Sequence, residues 1–309
     1  MNKTAIEWTD FSVSPIKYRD TEGRVAWGCV KASAGCQNCY AEAISKRFRG
    51  PEAGFTAKRM EGLTPYVDEA ELKAMLSPRR LPAGSKCFVG DMTDIFGPWV
   101  PFSMLDRVFA AMALRPDVTF QVLTKRPSGM RLYIAEGPFG AAERVWGKWN
   151  ALALTRHAEA PEWPGWPLPN VWLGVSVENQ HWADRRIPEL LACPAAVRFV
   201  SAEPLLGPVE FGWDDWGYVE RPDWVVCGGE SGPGARPCDI SWIRSIVEQC
   251  KAAGVAVFVK QVGSSPYFPA DCDCEGEHGN HRTDVRLKDR KGGDMAEWPE
   301  DLRVREMPR

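Results

Sequence analysis

Residues 86–94 read K-C-F-V-G-D-M-T-D, a short apolar run that stops at Gly90 and turns polar. The run predicts a strand from Lys86 to Gly90. Downstream, Met104, Leu105, Val108, Phe109 and Met112 recur at the spacing of a helix with one buried face. A second run, D-V-T-F-Q-V-L at 117–123, predicts another strand and is followed by T-K-R-P. A strand, a helix and a strand in this order form the unit that lays neighbouring strands parallel, because the crossover helix returns the chain to its starting edge.

The same alternation continues outward in both directions. Toward the N-terminus, a strand around Ile6 to Val13 leads through a polar insertion at 17–24 into a cysteine-bearing loop and a helix from about Tyr40 to Phe48, with a further helical piece near 68–76. Toward the C-terminus, a helical pattern begins near Ser128, and strands are predicted at 171–177, 197–200, 224–227 and 255–259, with helices at 182–191 and 241–253. Alternation repeated this often implies an α/β fold with a parallel sheet, closed or nearly closed into a TIM-barrel-like β/α barrel, full or partial. The barrel is expected over 1–265, with a Trp-rich insertion near 137–169, and a Cys/His loop and tail over 266–309 are expected to pack on it.

Composition bounds what such a chain does. With 44% hydrophobic and 26% charged residues, 309 residues make an ordinary globular protein with a sizeable core. There is no apolar run of membrane-spanning length and no signal-peptide core at the start, so a cytoplasmic protein with no membrane role is expected. Ten cysteines in a chain of this size read as reduced thiols, most of them core filler. A net charge of -3 means that any nucleic-acid partner is met by a local patch.

The exception to core filler is W-G-C-V-K-A-S-A-G-C-Q-N-C-Y-A-E at 27–42, where Cys29, Cys36 and Cys39 stand at C-x6-C-x2-C spacing. Three soft thiols in one short loop suit zinc or an iron–sulfur cluster. The next cysteine, Cys87, belongs to a different element. The economical reading is a [4Fe-4S] cluster with three protein ligands and one open iron; zinc completed from elsewhere, or inert structural thiols, are the alternatives.

In a β/α barrel the chemistry sits at the C-terminal strand ends. Placed there are the cysteine loop; Asp91 and Asp94; Lys125 and Arg126; Glu178 and Asn179; Ser201 and Glu203; Glu230 with Arg236; and Lys260 with Gln261. Lys125 and Arg126 offer fixed positive charge for a carboxylate or phosphate. Glu203 and Glu230 suit ribose hydroxyls or, alternatively, a structural pairing with Arg236. A second metal-like set, Cys272, Cys274, His278 and His281, lies in C-D-C-E-G-E-H-G-N-H. It suits zinc as Cys2His2, although its spacing is tighter than that of a finger, and an acidic surface loop is the alternative.

Several of these pieces together resemble the phage Gp37/Gp68-like proteins of the three-Cys-motif type (DUF5131): E-W-T-D, G-C-x6-C-x2-C-Y-A, V-G-D-M-T-D-I-F, Q-V-L-T-K-R-P, V-W-L-G-V-S-V-E-N, F-V-S-A-E-P-L-L-G, G-G-E-S-G-P-G-A-R-P, V-F-V-K-Q-V-G and the tail K-D-R-K-G-G-D-x3-W-P-E-D-L-R-V-R. The resemblance implies a likeness to radical S-adenosylmethionine (SAM) enzymes. It would make Cys29, Cys36 and Cys39 the ligands of [4Fe-4S], set Gly90, Asp91 and Met92 beside the methionine part of SAM, and place Ser176, Glu178 and Ser201 near its ribose. G-D-M departs from the usual G-G-E, and C-x6-C-x2-C is longer than the common C-x3-C-x2-C. The expected function is then a radical enzyme acting on a nucleic acid base or nucleotide, in phage DNA modification or repair in a bacterial host cell. Its electrons would come from a flavodoxin- or ferredoxin-type donor. A zinc protein that binds nucleic acid or a partner protein, and a hydrolase or lyase using the rim carboxylates, are the competing expectations.

Overall fold

The structure, a computed structural model, describes residues 1–135, 140–155, 162–213, 220–269 and 282–308. It divides into two compact units, Met1–Val175 with Pro188–Arg198, and Ser176–Ile187 with Phe199–Arg309.

The first unit opens with β1 (Asn2–Lys3), β2 (Phe11–Val13), β3 (Ile16–Arg19) and β4 (Val25–Ala26), followed by α1 (Tyr40–Arg49), α2 (Ala57–Met60) and β5 (Thr64–Val67). It continues through α3 (Glu69–Met75), β6 (Lys86–Val89), α4 (Phe102–Ala113), β7 (Thr119–Thr124), α5 (Pro127–Ala135), α6 (Gly140–Leu154) and β8 (Val171–Ser176). Strands β2, β6, β7 and β8 run parallel, and their register sets Val13, Val89, Val122 and Leu173 side by side. All four are nearly inaccessible, at 3% exposure or less, so this row is the floor on which the polar strand ends stand.

The stretch at 17–24, expected as a polar insertion, is instead part of a three-stranded antiparallel ribbon, β4-β3-β5. In I-K-Y-R every second residue is buried (Ile16 1%, Tyr18 0%), which is the period of a strand with one face covered. The expected Trp-rich insertion contains α6, which buries Ala141, Val145, Trp149 and Ala153.

The second unit carries α7 (Gln180–Leu191), β9 (Val197–Ala202), β10 (Trp224–Gly228), β11 (Cys238–Asp239), α8 (Ile240–Ala253), β12 (Ala256–Gln261), β13 (Pro266–Pro269) and β14 (Arg282–Asp284). Strand β10 pairs in parallel with both β9 and β12, and every one of its residues, W-V-V-C-G, is buried. Helix α8 starts where Asp239 accepts a hydrogen bond from the Ser241 amide at 2.8 Å and buries Ile243, Ile246, Val247 and Cys250.

Together these elements make a mixed α/β fold with a largely parallel eight-strand sheet flanked by helices. Of the full or partial barrel expected, the full one is not formed, because the sheet is not closed. Closure requires the first and last strands to pair, but antiparallel β1 lies on the free side of β2. In the second unit the free side of β12 is taken by the tail, with the Val259 amide donating to Val304 O and the Glu306 amide to Val257 O, both at 2.9 Å. No helix among the described residues is long and apolar enough to cross a membrane.

Candidate functional site at the cysteine loop

In the first unit the polar residues that follow β2, β6 and β7 gather around the cysteine loop. The loop runs from Trp27 through a single turn at Ala34–Cys36 to Cys39, which stands at the N-cap of α1. All three cysteines are half-buried. The Ala32 amide donates to Cys36 Sγ at 3.4 Å. Cys39 makes no capping hydrogen bond, yet the Ala41 and Glu42 amides favour its thiolate, as the Asp94 amide does for Cys29. Against this, burial pushes the Cys29 thiol up to about 12, with the Asp94 carboxylate adding to the rise and Arg126 opposing it. Burial also raises Cys39, and the charge on Cys36 bears on both neighbours, so the three sulfurs share one electrostatic neighbourhood.

The loop backbone is held from three sides. Thr93 Oγ1 donates to Gly28 O at 2.6 Å, Arg126 Nη2 to Val30 O at 2.6 Å, and Arg59 Nη1 to Trp27 O at 2.9 Å. Gly28 is glycine because a Cβ there would meet Met60 Sδ at 2.7 Å and Leu63 Cδ1 at 2.9 Å. The Arg126 guanidinium lies 4.7 Å from the centre of the Trp99 ring, and its Nε is buried without a hydrogen-bond partner among the described residues.

Gly90, Asp91 and Met92 come to this loop. Gly90 turns the chain at φ +88°, a conformation that favours glycine, with Ile95 packed where a Cβ would sit. The Asp91 carboxylate accepts from Ser12 Oγ at 2.9 Å and from Ser14 Oγ, and its carbonyl accepts from Tyr40 OH at 2.6 Å. Met92 joins Ala41 and Phe55 in an apolar cluster against which Trp27, Cys29, Cys39 and Ile44 pack. Asp94 accepts from Thr124 Oγ1 at 2.6 Å and from the Lys125 amide at 2.9 Å, which ties the ends of β6 and β7 together.

The remaining predicted ligand residues lie in the second unit, each engaged with other groups there. Glu178 is fully buried and pairs with Arg186 at 3.2 Å; Arg186 also donates to Ser176 O at 2.7 Å and covers the Trp182 ring at 4.0 Å. Ser201 Oγ lies 3.4 Å from Glu203, which pairs with Lys260 at 3.2 Å. Glu230 accepts from Arg236 through Nη2 at 2.5 Å, Nε at 2.9 Å and the amide at 2.9 Å, so its structural pairing is the one observed. Cys272, Cys274, His278 and His281 lie outside the described residues. Cys87, Cys193, Cys227, Cys238 and Cys250 are buried free thiols, the core filler expected.

The site passes one test of fit and not another. Three soft donors sit in one loop, and backbone amides favour the charged form of Cys29 and Cys39, although burial outweighs them. As the loop stands, however, no three His, Cys, Asp or Glu side chains among the described residues converge closely enough to hold a metal ion. Cys29 Sγ lies 3.7 Å from Val30 O as a donor, the arrangement of a protonated thiol. A metal would have to displace that proton and draw the sulfurs in. Arg59, Thr93 and Trp99 were not marked by the sequence, since each serves the loop through its backbone or through Arg126.

One protein-family model matches residues 3–292 of the chain. No curated protein matches it. No solved structure does either.

Proposed function

The chain belongs to the family of that model, described as a protein of unknown function (DUF5131), and from its cysteine loop together with the resemblance set out above we propose an iron–sulfur enzyme of the radical SAM type; that it acts on a nucleic acid base or nucleotide rests on the resemblance alone. The observation that carries this is the thiol set: Cys29, Cys36 and Cys39 in one loop, with the Ala32 amide donating to Cys36 Sγ and the loop backbone held by Thr93, Arg126 and Arg59. Hydrogen bonds to sulfur are a main lever on an iron–sulfur potential. These three cysteines would hold a [4Fe-4S] cluster with one open iron. Bound there with SAM, such a cluster supplies one-electron cleavage of the SAM sulfonium and a 5′-deoxyadenosyl radical that takes hydrogen from substrate.

The chain's own part is placement and apolar packing. Thr93, Arg59 and Arg126 fix the loop backbone on either side of Cys29. Met92, Phe55 and Ala41 give Cys29 and Cys39 an apolar side to pack against. Arg126 and Lys125 supply fixed positive charge at the end of β7, suited to a carboxylate. On this reading the open, largely parallel sheet serves as an incomplete barrel, with the cofactor loop following β2. The reductant would be a flavodoxin- or ferredoxin-type protein.

Anaerobic reconstitution with iron and sulfide tests the proposal. A brown protein with about four irons per chain, which cleaves SAM on reduction and changes its electron paramagnetic resonance spectrum when SAM is added, is the expected result. Cys→Ala at 29, 36 or 39 should abolish all three. A colourless protein that retains only zinc in air and leaves SAM intact would overturn the proposal in favour of a zinc protein.

A further inference from the structure

We propose that a groove in the first unit binds a single-stranded stretch of nucleic acid through its phosphates and one base. As the place where substrate is held, the groove depends on the enzyme proposed above; as a nucleic-acid site it does not. The groove, of about 720 Å³, is lined by the turn between β3 and β4, the C-terminal end of α1, and α2.

Its charges are unequal. Arg24, Arg49, Lys58 and Arg59 line it against Asp20 and Glu52. Asp20 is already engaged, pairing with Arg24 at 2.8 Å and accepting the Glu22 and Arg24 amides. Arg49 and Lys58 are exposed and enter no ion pair among the described residues, leaving two cations facing a groove with one uncommitted acid, Glu52. The net charge of the whole chain is -3, so this is a local reversal of sign rather than a general basic surface.

An aromatic ring stands among these cations. Phe48 is 66% exposed, which folding alone does not reward, and Arg47 sits 5.7 Å from its ring centre. A flat apolar face beside guanidinium and ammonium groups is the combination that takes a base by stacking and its phosphates by charge. A divalent cation would need converging acids, which the groove lacks, and an acidic protein surface would have no use for a concave site of this size.

The groove is also tied to the cysteine loop. Arg59 donates from it to Trp27 O, and the Phe48 ring lies 6.4 Å from that of Trp27. Helix α1 has 10 residues, with Cys39 at its start and Phe48 and Arg49 at its end. At 1.5 Å per residue that is a separation of about 15 Å, a span that a few linked nucleotides cover. A strand anchored by Phe48, Arg49 and Lys58 therefore reaches the sulfurs with a neighbouring base.

Fluorescence anisotropy of a labelled oligothymidylate, with the full chain both metal-free and reconstituted, tests the site. R49A/K58A should weaken binding at least tenfold at low salt and flatten the salt dependence by about 1.4 in log–log slope, two lost phosphate contacts at about 0.7 each. F48A should weaken binding about tenfold with the slope retained. R79A/R80A, which removes two exposed cations in the turn after α3, should change neither, and matching circular dichroism spectra show that all variants are folded. The proposal is overturned if the oligonucleotide does not bind, if R49A/K58A binds it as well as the unaltered chain, if polyglutamate displaces it equally well, or if thymidine monophosphate binds as tightly. Since the metal-free chain is measured too, failure to take up iron leaves this result standing, and failure to bind the strand leaves the cluster assay untouched.

Discussion

Replacing Thr93 with Val should loosen the cysteine loop without opening a cavity. The Thr93 hydroxyl has one proton and gives it to Gly28 O at 2.6 Å, so Tyr18, 3.0 Å away, must donate its own proton to Thr93 Oγ1. Valine matches threonine in shape, and the substitution strands two buried polar groups: the carbonyl of Gly28 and the hydroxyl of Tyr18, whose side chain is 0% exposed. A stranded buried group costs about 1–3 kcal/mol, so with two of them T93V should lose about 2–6 kcal/mol in urea unfolding. T93V/Y18F removes one of the stranded groups together with its partner, and about 1 kcal/mol should return. If the loss is local, the cysteines of the loop should react with a thiol reagent at least about tenfold faster, since 1.4 kcal/mol is a factor of ten. An unchanged urea midpoint together with unchanged labelling would refute the idea that this hydroxyl holds the loop.

R126K keeps the charge but loses the planar fork that covers Trp99 while donating to Val30 O. A loss of about 1–2 kcal/mol in urea unfolding is expected, accompanied by a change in tryptophan emission. Asp68 caps α3 through the Ala70 and Glu71 amides and pairs with Lys17 at 2.8 Å. Burial pushes its carboxyl up, but Lys17 and the two amides outweigh burial and leave it below the usual carboxylate range. The stabilisation it gives is therefore complete above the ordinary carboxylate pKa and is lost as pH falls through the lowered one. D68A should cost about 1–2 kcal/mol at neutral pH, D68N less because its amide oxygen still caps, and both differences should shrink in unfolding curves taken at progressively lower pH.

The parallel strands were legible because a strand covered on both faces is a continuous apolar run, as in the fully buried W-V-V-C-G of β10. The ribbon of β3, β4 and β5 was not, since its strands have two to four residues and β3 alternates with Lys and Arg. Closure could not be read locally. It depends on what pairs with the two outermost strands, and those partners, Asn2–Lys3 and the segment around Val304, carry no pattern that announces the pairing. At the site, the cysteines were visible as three thiols in one short loop and Asp91 as a charge that ends an apolar run, whereas Gly90 and Met92 were reached only through the family resemblance. The groups that grip the loop were not visible, because Arg59 and Arg126 reach backbone carbonyls 32 and 96 residues away and a carbonyl has no sequence signature. The acids of the second unit were visible as charges that end apolar runs; Arg186, the partner of Glu178, was not.

The covering of β12 by the tail and the brevity of β1 bear on how copies of this chain treat one another. An unpaired strand margin invites a second molecule to continue the sheet, and from there aggregates grow. Here one margin is only two residues long and the other is sealed by the molecule's own last turn of backbone, with Phe258 bridged to Arg305. A fusion partner or truncation that pulls that final segment loose would unseal a hydrogen-bonding row and turn a well-behaved protein into a sticky one.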